Sequence, residues 1–298
     1  MKNILLSILL GFVLTVPHQA TAAQIKIKYV GSIYTDAAGV PLRHPGGVAI
    51  AGETLLVADS DSRRIVSYRF AQGVATPVKS FPLPKMFPIM VEQAANGDIY
   101  VLDGRERQIV VLGPDGNVKG ELSPKGIPHD GRIIPRSFRI TADGAIMILD
   151  IFSGRALLLE ANGQYRRQIP FPAESGAFAD LAMDAQGTIY LLDSVMGSVY
   201  KAPAGSNAFT LLTNSLKEYT NFPTSLAVGR DGNLYIIDKH GSGLAIIGVD
   251  GAFAGRKISM GWNDGQLYYP SHISMNTDGN IFIADTQNNR IQQFDIVE

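Results

Sequence analysis

Six copies of one pattern run through the 298-residue chain, each an aliphatic strand that ends in aspartate: LLVAD, IYVLD, IMILD, IYLLD, LYIID and IFIAD. The aspartates are Asp59, Asp103, Asp150, Asp193, Asp238 and Asp285, spaced 44, 47, 43, 45 and 47 residues apart. A period of about 45 residues, with room for about four short strands per unit, is the signature of a propeller blade. A turn glycine stands six residues before the aspartate in five units (Gly97, Gly144, Gly187, Gly232 and Gly279), and Gly52 stands seven before it in the first. Asn-Gly and Asp-Gly at such places tolerate the positive φ of a tight hairpin. A second set of turn glycines follows at Gly73, Gly116, Gly163, Gly205 and Gly251. Each unit therefore reads as strand a, tight turn, strand b, loop, strand c, tight turn, strand d. The last unit stops at Glu298 one strand short, whereas residues 25–34 precede the first unit without a hairpin partner. Pairing these ends closes the ring and removes an exposed sheet edge. The expectation is an all-β fold: a six-bladed β-propeller of four-stranded antiparallel blades, closed by the N-terminal strand pairing in the last blade.

Residues 1–23 stand apart from the repeats. Lys2 is followed by an apolar run over residues 4–16 and by the small residues ATAA ending at Ala23. This order fits a secretory signal peptide, and the run is too short to span a bilayer core of about 30 Å. The predicted organisation is a signal peptide, 1–23, and a propeller, 24–298. The mature chain is expected to be exported to the periplasm or the extracellular space, with no membrane span. There is no cysteine, so disulfides, thiolate metal sites and c-type haem attachment are excluded. Without Lys2 the chain has 25 basic and 27 acidic residues, a formal charge of −2. That balance does not suit nucleic acid, which requires clustered positive charge.

The segments YPSHISMNTDGNIFIADTQNNRIQQF and HPGGVAIAGETLLVADSDSRRIVSY resemble NHL repeats, in which a proline opens strand a, an aspartate ends strand b and an Arg-aliphatic pair opens strand c. The fourth unit departs most, with GAFADLAM where the proline should be, and the second, fourth and fifth lack the arginine five residues after the aspartate. The resemblance implies the six-bladed ring but no single activity. Some NHL-like chains, the peptidyl-hydroxyglycine amidating lyases, hold zinc with three histidines at inner-strand starts. Here only His44 and His272 are placed so, at non-equivalent positions, and that ligand set is incomplete. Some intracellular NHL proteins bind RNA, which the leader and the negative charge argue against.

Residues that recur in every blade serve what every blade needs, so the motif aspartates are read as structural: caps on the b–c loops, paired with Arg64, Arg155 and Arg290 where those are present. Departures from the repeat are more informative. Two residues after the strand-opening proline the blades carry Gly47, Met90, Ser137, Ser225 and His272, with Asp180 at the equivalent place in the fourth; two further on come Ala49, Glu92, Arg139, Ala182, Ala227 and Ser274. Glu92 and Arg139 are neighbours expected to pair beside the channel, whereas Asp180 has no evident partner. All four histidines after the leader, His44, His129, His240 and His272, fall on the face that carries the b–c and d–a loops.

Two readings follow. As a binding module, the propeller would present its loop face to a protein, peptide or glycan, through Trp262, Tyr268, Arg43 and Arg132. Trp, Tyr and Arg are the residues favoured at binding hot spots. As an enzyme, a metal-dependent lyase or hydrolase, it would hold a divalent ion (zinc or calcium) on His44 and His272, with Asp180 as a third ligand or base and Arg136 as an anion clamp.

Overall fold

The computed structural model describes residues 25–128, 132–174 and 176–297. The signal-peptide assignment and His129 lie outside these residues. Six four-stranded antiparallel sheets form the ring expected from the repeat. Blade 1 runs through Pro45–Ala51, Thr54–Asp59, Arg64–Ala71 and Val74–Pro82, in that order from axis to rim. The other inner strands are Pro88–Gln93, Pro135–Ile140, Phe178–Met183, Pro223–Val228 and His272–Met275. The ring closes as anticipated: Lys26–Ile33 pairs antiparallel with Arg290–Val297, from Lys26 opposite Val297 to Ile33 opposite Ile291. Tyr29 packs edge-on against Phe294 across this seam.

Strand b is buried along its length in blades 2 to 5, because neighbouring blades cover both of its faces. This is why it reads as an unbroken aliphatic run rather than an alternation. The core lies between blades: Leu56, Ala58 and Ile65 of blade 1, for example, pack with Val91, Val101 and Val110 of blade 2. Gly47 sits where the backbones of these two blades come close, and an added Cβ there would lie 2.8 Å from the backbone of Ile89 and Met90.

Each motif aspartate is at most 1% exposed, and each accepts a backbone N–H from the segment leading into strand a. The donors are Arg43, Phe87, Ile134, Ala177, Phe222 and Tyr268. The arginines pair as expected, with Nε donating at 2.7 Å from Arg64 to Asp59, 3.0 Å from Arg155 to Asp150 and 2.8 Å from Arg290 to Asp285. Blade 5 lacks that arginine and takes its cation from strand d instead, Arg256 donating to Asp238 at 2.7 Å. Another device joins consecutive blades. The hydroxyl after the motif aspartate donates to the proline carbonyl that opens the next blade: Ser60 to Pro88, Ser194 to Pro223 and, across the closing seam, Thr286 to Pro45.

Asp285 also accepts from Asn288 and Gln292, and Arg290 beside it is 2% exposed. Asp285→Ala would leave a buried guanidinium short of its counter-charge and should cost about 3–5 kcal/mol in urea unfolding. A loss below about 1 kcal/mol would mean that the aspartate does not hold the blade together.

Candidate functional site

In the first five blades the strand a–b pairing slips by one residue directly after the strand-opening position. This β-bulge leaves one residue unpaired and re-aims the side chains on either side. The unpaired residues are Gly46, Ile89, Arg136, Ala179 and Thr224, with Ser271 at the matching place in blade 6. All six line one cavity of about 290 Å³ on the loop face. The residues that follow them, Gly47 to His272, form a belt around the axis. A larger cavity of about 820 Å³ opens on the opposite face and is lined by Glu92, Arg139, Ala182, Ser274 and the tight turns of blades 3 and 4. Asp180 lines the loop-face cavity and His272 lines both.

Asp180 is the hub of the belt. The sequence leaves it without a partner; the structure gives it five hydrogen bonds. Ser137 and Leu181 donate to one oxygen, and Arg139 (2.7 Å), Ser225 (2.8 Å) and the Leu226 amide (3.0 Å) to the other. Its side chain is 3% exposed. Five hydrogen bonds take up most of the lone pairs on its two oxygens. Asp180 therefore ties blades 3, 4 and 5 together. The anticipated Glu92–Arg139 pair is present at 3.7 Å, but Arg139 lies closer to Asp180.

His272 completes the belt between blades 6 and 1. Its Nδ1 accepts the Val48 N–H at 3.4 Å, so the ring proton sits on Nε2, which is buried without a partner among the described residues. Burial, reinforced by the charge of Arg139, lowers its pKa to about 4. Burial raises the Glu92 carboxyl to about 7, with Arg139 pulling against the shift. His44, by contrast, is half-buried at the loop-face cavity with positive φ, and its Nδ1 lies 2.5 Å from Asp61. Among the described residues no group of three His, Asp or Glu side chains is arranged to hold a metal ion.

The aromatic candidates are brought together. Trp262 is 72% exposed and lies 5.4 Å from Tyr268 between ring centres. Tyr268 meets Tyr269 at 5.1 Å, Tyr269 meets His240 at 5.9 Å, and His240 stacks on Phe222 at 4.9 Å. The run crosses the loop face from the connection before blade 6 to the loops of blade 5. Tyr269 is 37% exposed in a left-handed backbone conformation. Arg132 lies over the ring of Phe152 at 4.8 Å. The Arg43 and Arg136 side chains are exposed and unpaired among the described residues. Of the bulge positions the sequence singles out only Arg136, as an anion clamp, although Thr224 and Ser271 likewise directly follow a proline at the start of a blade.

The two shifted groups pull stability in opposite directions. Unfolded, Glu92 titrates near 4.5 and His272 near 6.5. Between pH 4.5 and 7 the fold keeps a proton on Glu92 that the unfolded chain releases, so this contribution falls as pH rises. Between pH 4 and 6.5 the unfolded chain carries a proton on His272 that the fold lacks, so that contribution rises with pH. Glu92→Gln removes the first slope. The variant should gain on the wild type as pH rises and exceed it above pH 7 by up to about 3 kcal/mol in urea unfolding. A difference that stays constant with pH would rule out a raised Glu92.

The family model for the NHL repeat matches residues 267–294, which span strands a and b and most of strand c of the last blade. No curated protein sequence matches the chain significantly. Among solved structures, a gluconolactonase from Xanthomonas campestris is similar at 17% identity over 92% of this chain and 91% of that one, with a TM-score of 0.65. Virginiamycin B lyase from Staphylococcus aureus is similar at 12% identity over 92% and 100%, with a TM-score of 0.61. Regucalcin, a calcium-binding protein from Agrobacterium tumefaciens, is similar at 10% over 90% and 95%, with a TM-score of 0.61. At these identities the likeness is one of fold.

Proposed function

The chain is an NHL-repeat six-bladed β-propeller, and on that premise we propose that it is an exported binding module whose loop face takes up a peptide or glycan. The observation that carries this reading is the aromatic run from Trp262 to Phe222. Aromatic faces supply large apolar contact area with little side-chain entropy to lose, and Tyr and Trp add a polar edge. A tryptophan 72% exposed gives up that contact area to water in the free protein, a loss that a bound partner recovers. Exposed Ile151, Phe152, Val195 and Met196 extend the apolar character onto the b–c loops of blades 3 and 4. No helix among the described residues is long and apolar enough to cross a membrane.

Trp262 is the one tryptophan of the chain, so its fluorescence reports on this surface alone. Titration with peptide and polysaccharide panels should find a ligand that shifts the emission to the blue. Tyr268→Ala, which keeps the reporter, should weaken that ligand by about tenfold or more. A ligand that binds a Trp262→Ala, Tyr268→Ala variant as well as the wild type would remove the aromatic run from the proposal.

A second reading rests on Glu92. A carboxyl held near neutral pH beside Arg139, on the wall of the larger cavity, has the properties of a general acid–base. Lyases and lactonases share the fold. Turnover of a lactone or ester that vanishes in Glu92→Gln would favour this reading over the first.

A further inference from the structure

The loop-face cavity is chemically two-sided. Blade 2 supplies its apolar side, with Phe87, Ile89, Met90 and Leu102. Blades 3, 5 and 6 supply its polar side, with Arg136, Thr224, Lys239, Ser271 and His272 among the lining residues. Only three buried side-chain polar atoms among the described residues lack a hydrogen-bond partner, and two of them, Thr224 Oγ1 and His272 Nε2, belong to residues that line this cavity. Both can donate: the threonine through its hydroxyl and the histidine through the ring proton that the Val48 contact places on Nε2. A buried donor left without an acceptor costs about 1–3 kcal/mol, which an acceptor-bearing ligand would return.

The charges agree with the donors. Arg136 is exposed and Lys239 half-buried, and no ion pair or hydrogen bond engages either side chain among the described residues. The carboxylates nearby already have partners: Asp180 is held by Arg139 and four other donors, and Asp61 is hydrogen-bonded to His44. The cavity therefore offers spare donors and spare positive charge on one side, an apolar wall on the other, and a volume of about 290 Å³. That volume is at the small end for ligand pockets, about 300–1,000 Å³.

We propose that this cavity is a binding site for a small monocarboxylate with a short apolar tail, its carboxylate held by Arg136, Lys239, Thr224 and His272 and its tail laid against Ile89 and Phe87. The site is separate from the aromatic run, so the two stand or fall independently.

Calorimetric titration of the full-length protein after the leader with acetate, butyrate and inorganic phosphate tests it. Butyrate should bind saturably and more tightly than acetate, since each buried methylene adds about 0.8 kcal/mol. Arg136→Ala, Lys239→Ala should weaken butyrate by about tenfold or more; both side chains are at the surface, so the fold should survive. Thr224→Val should also weaken it, because the hydroxyl donor is lost while the shape is kept. Trp262→Ala should bind butyrate as the wild type does, which separates this site from the aromatic surface. Absence of saturable butyrate binding, butyrate no tighter than acetate, phosphate binding as tightly as butyrate, or unchanged affinity in the Arg136, Lys239 variant would each overturn the proposal.

Discussion

One carboxylate near the axis joins three of the six blades. Asp180 belongs to blade 4, takes a hydroxyl and a guanidinium from blade 3, and takes a hydroxyl and a backbone amide from blade 5. Placing a charge where water is largely excluded is costly unless it is paired and its lone pairs are filled, and here both conditions hold. Through Ser225, which also receives the Ile273 amide, and through His272, which accepts from Val48, the network passes to blades 6 and 1. Arg139 reaches Glu92 of blade 2 on its other side. The centre of the ring is thus a belt of directed polar contacts, and the cavities above and below it take their shape from where that belt sits.

The architecture was legible in the sequence because its determinants repeat. Strand b must be apolar on both faces, the hairpins need glycine, and the b–c loop needs a carboxylate, six times over. The central site was less legible because its determinants do not repeat. Four of the five partners of Asp180 lie 41 to 46 residues away in sequence, about one blade in either direction. Lateral neighbours in a ring are one period apart, and comparison of equivalent positions had aligned Ser137, Asp180 and Ser225 without treating them as contacts. Arg256 was hidden for another reason: it reaches the motif aspartate of blade 5 from strand d, a position that does not serve this role where the strand c arginine is present.

The two sets of residues divide the work of the fold. The motif aspartates are uniform, since a change there is felt by a whole blade. The bulge residues Gly46, Ile89, Arg136, Ala179 and Thr224 are released from ladder pairing, so they are free to differ. The same freedom applies to the b–c loops, which carry charge in DSDSRR of blade 1 and apolar side chains in DIFSGR of blade 3.

The seam between Lys26–Ile33 and Arg290–Val297 also sets an order of events. A polypeptide is made from its N-terminus, so the strand that finishes the ring is the first of the propeller to emerge, and its partner is the last. Through nearly the whole of synthesis that strand has no mate, and no arrangement of the earlier blades can supply one. Contacts of such sequence separation slow folding and leave partly built forms prone to association. The same seam that leaves the finished ring without an open edge therefore makes the growing chain dependent on being kept apart from its copies until its final residues arrive.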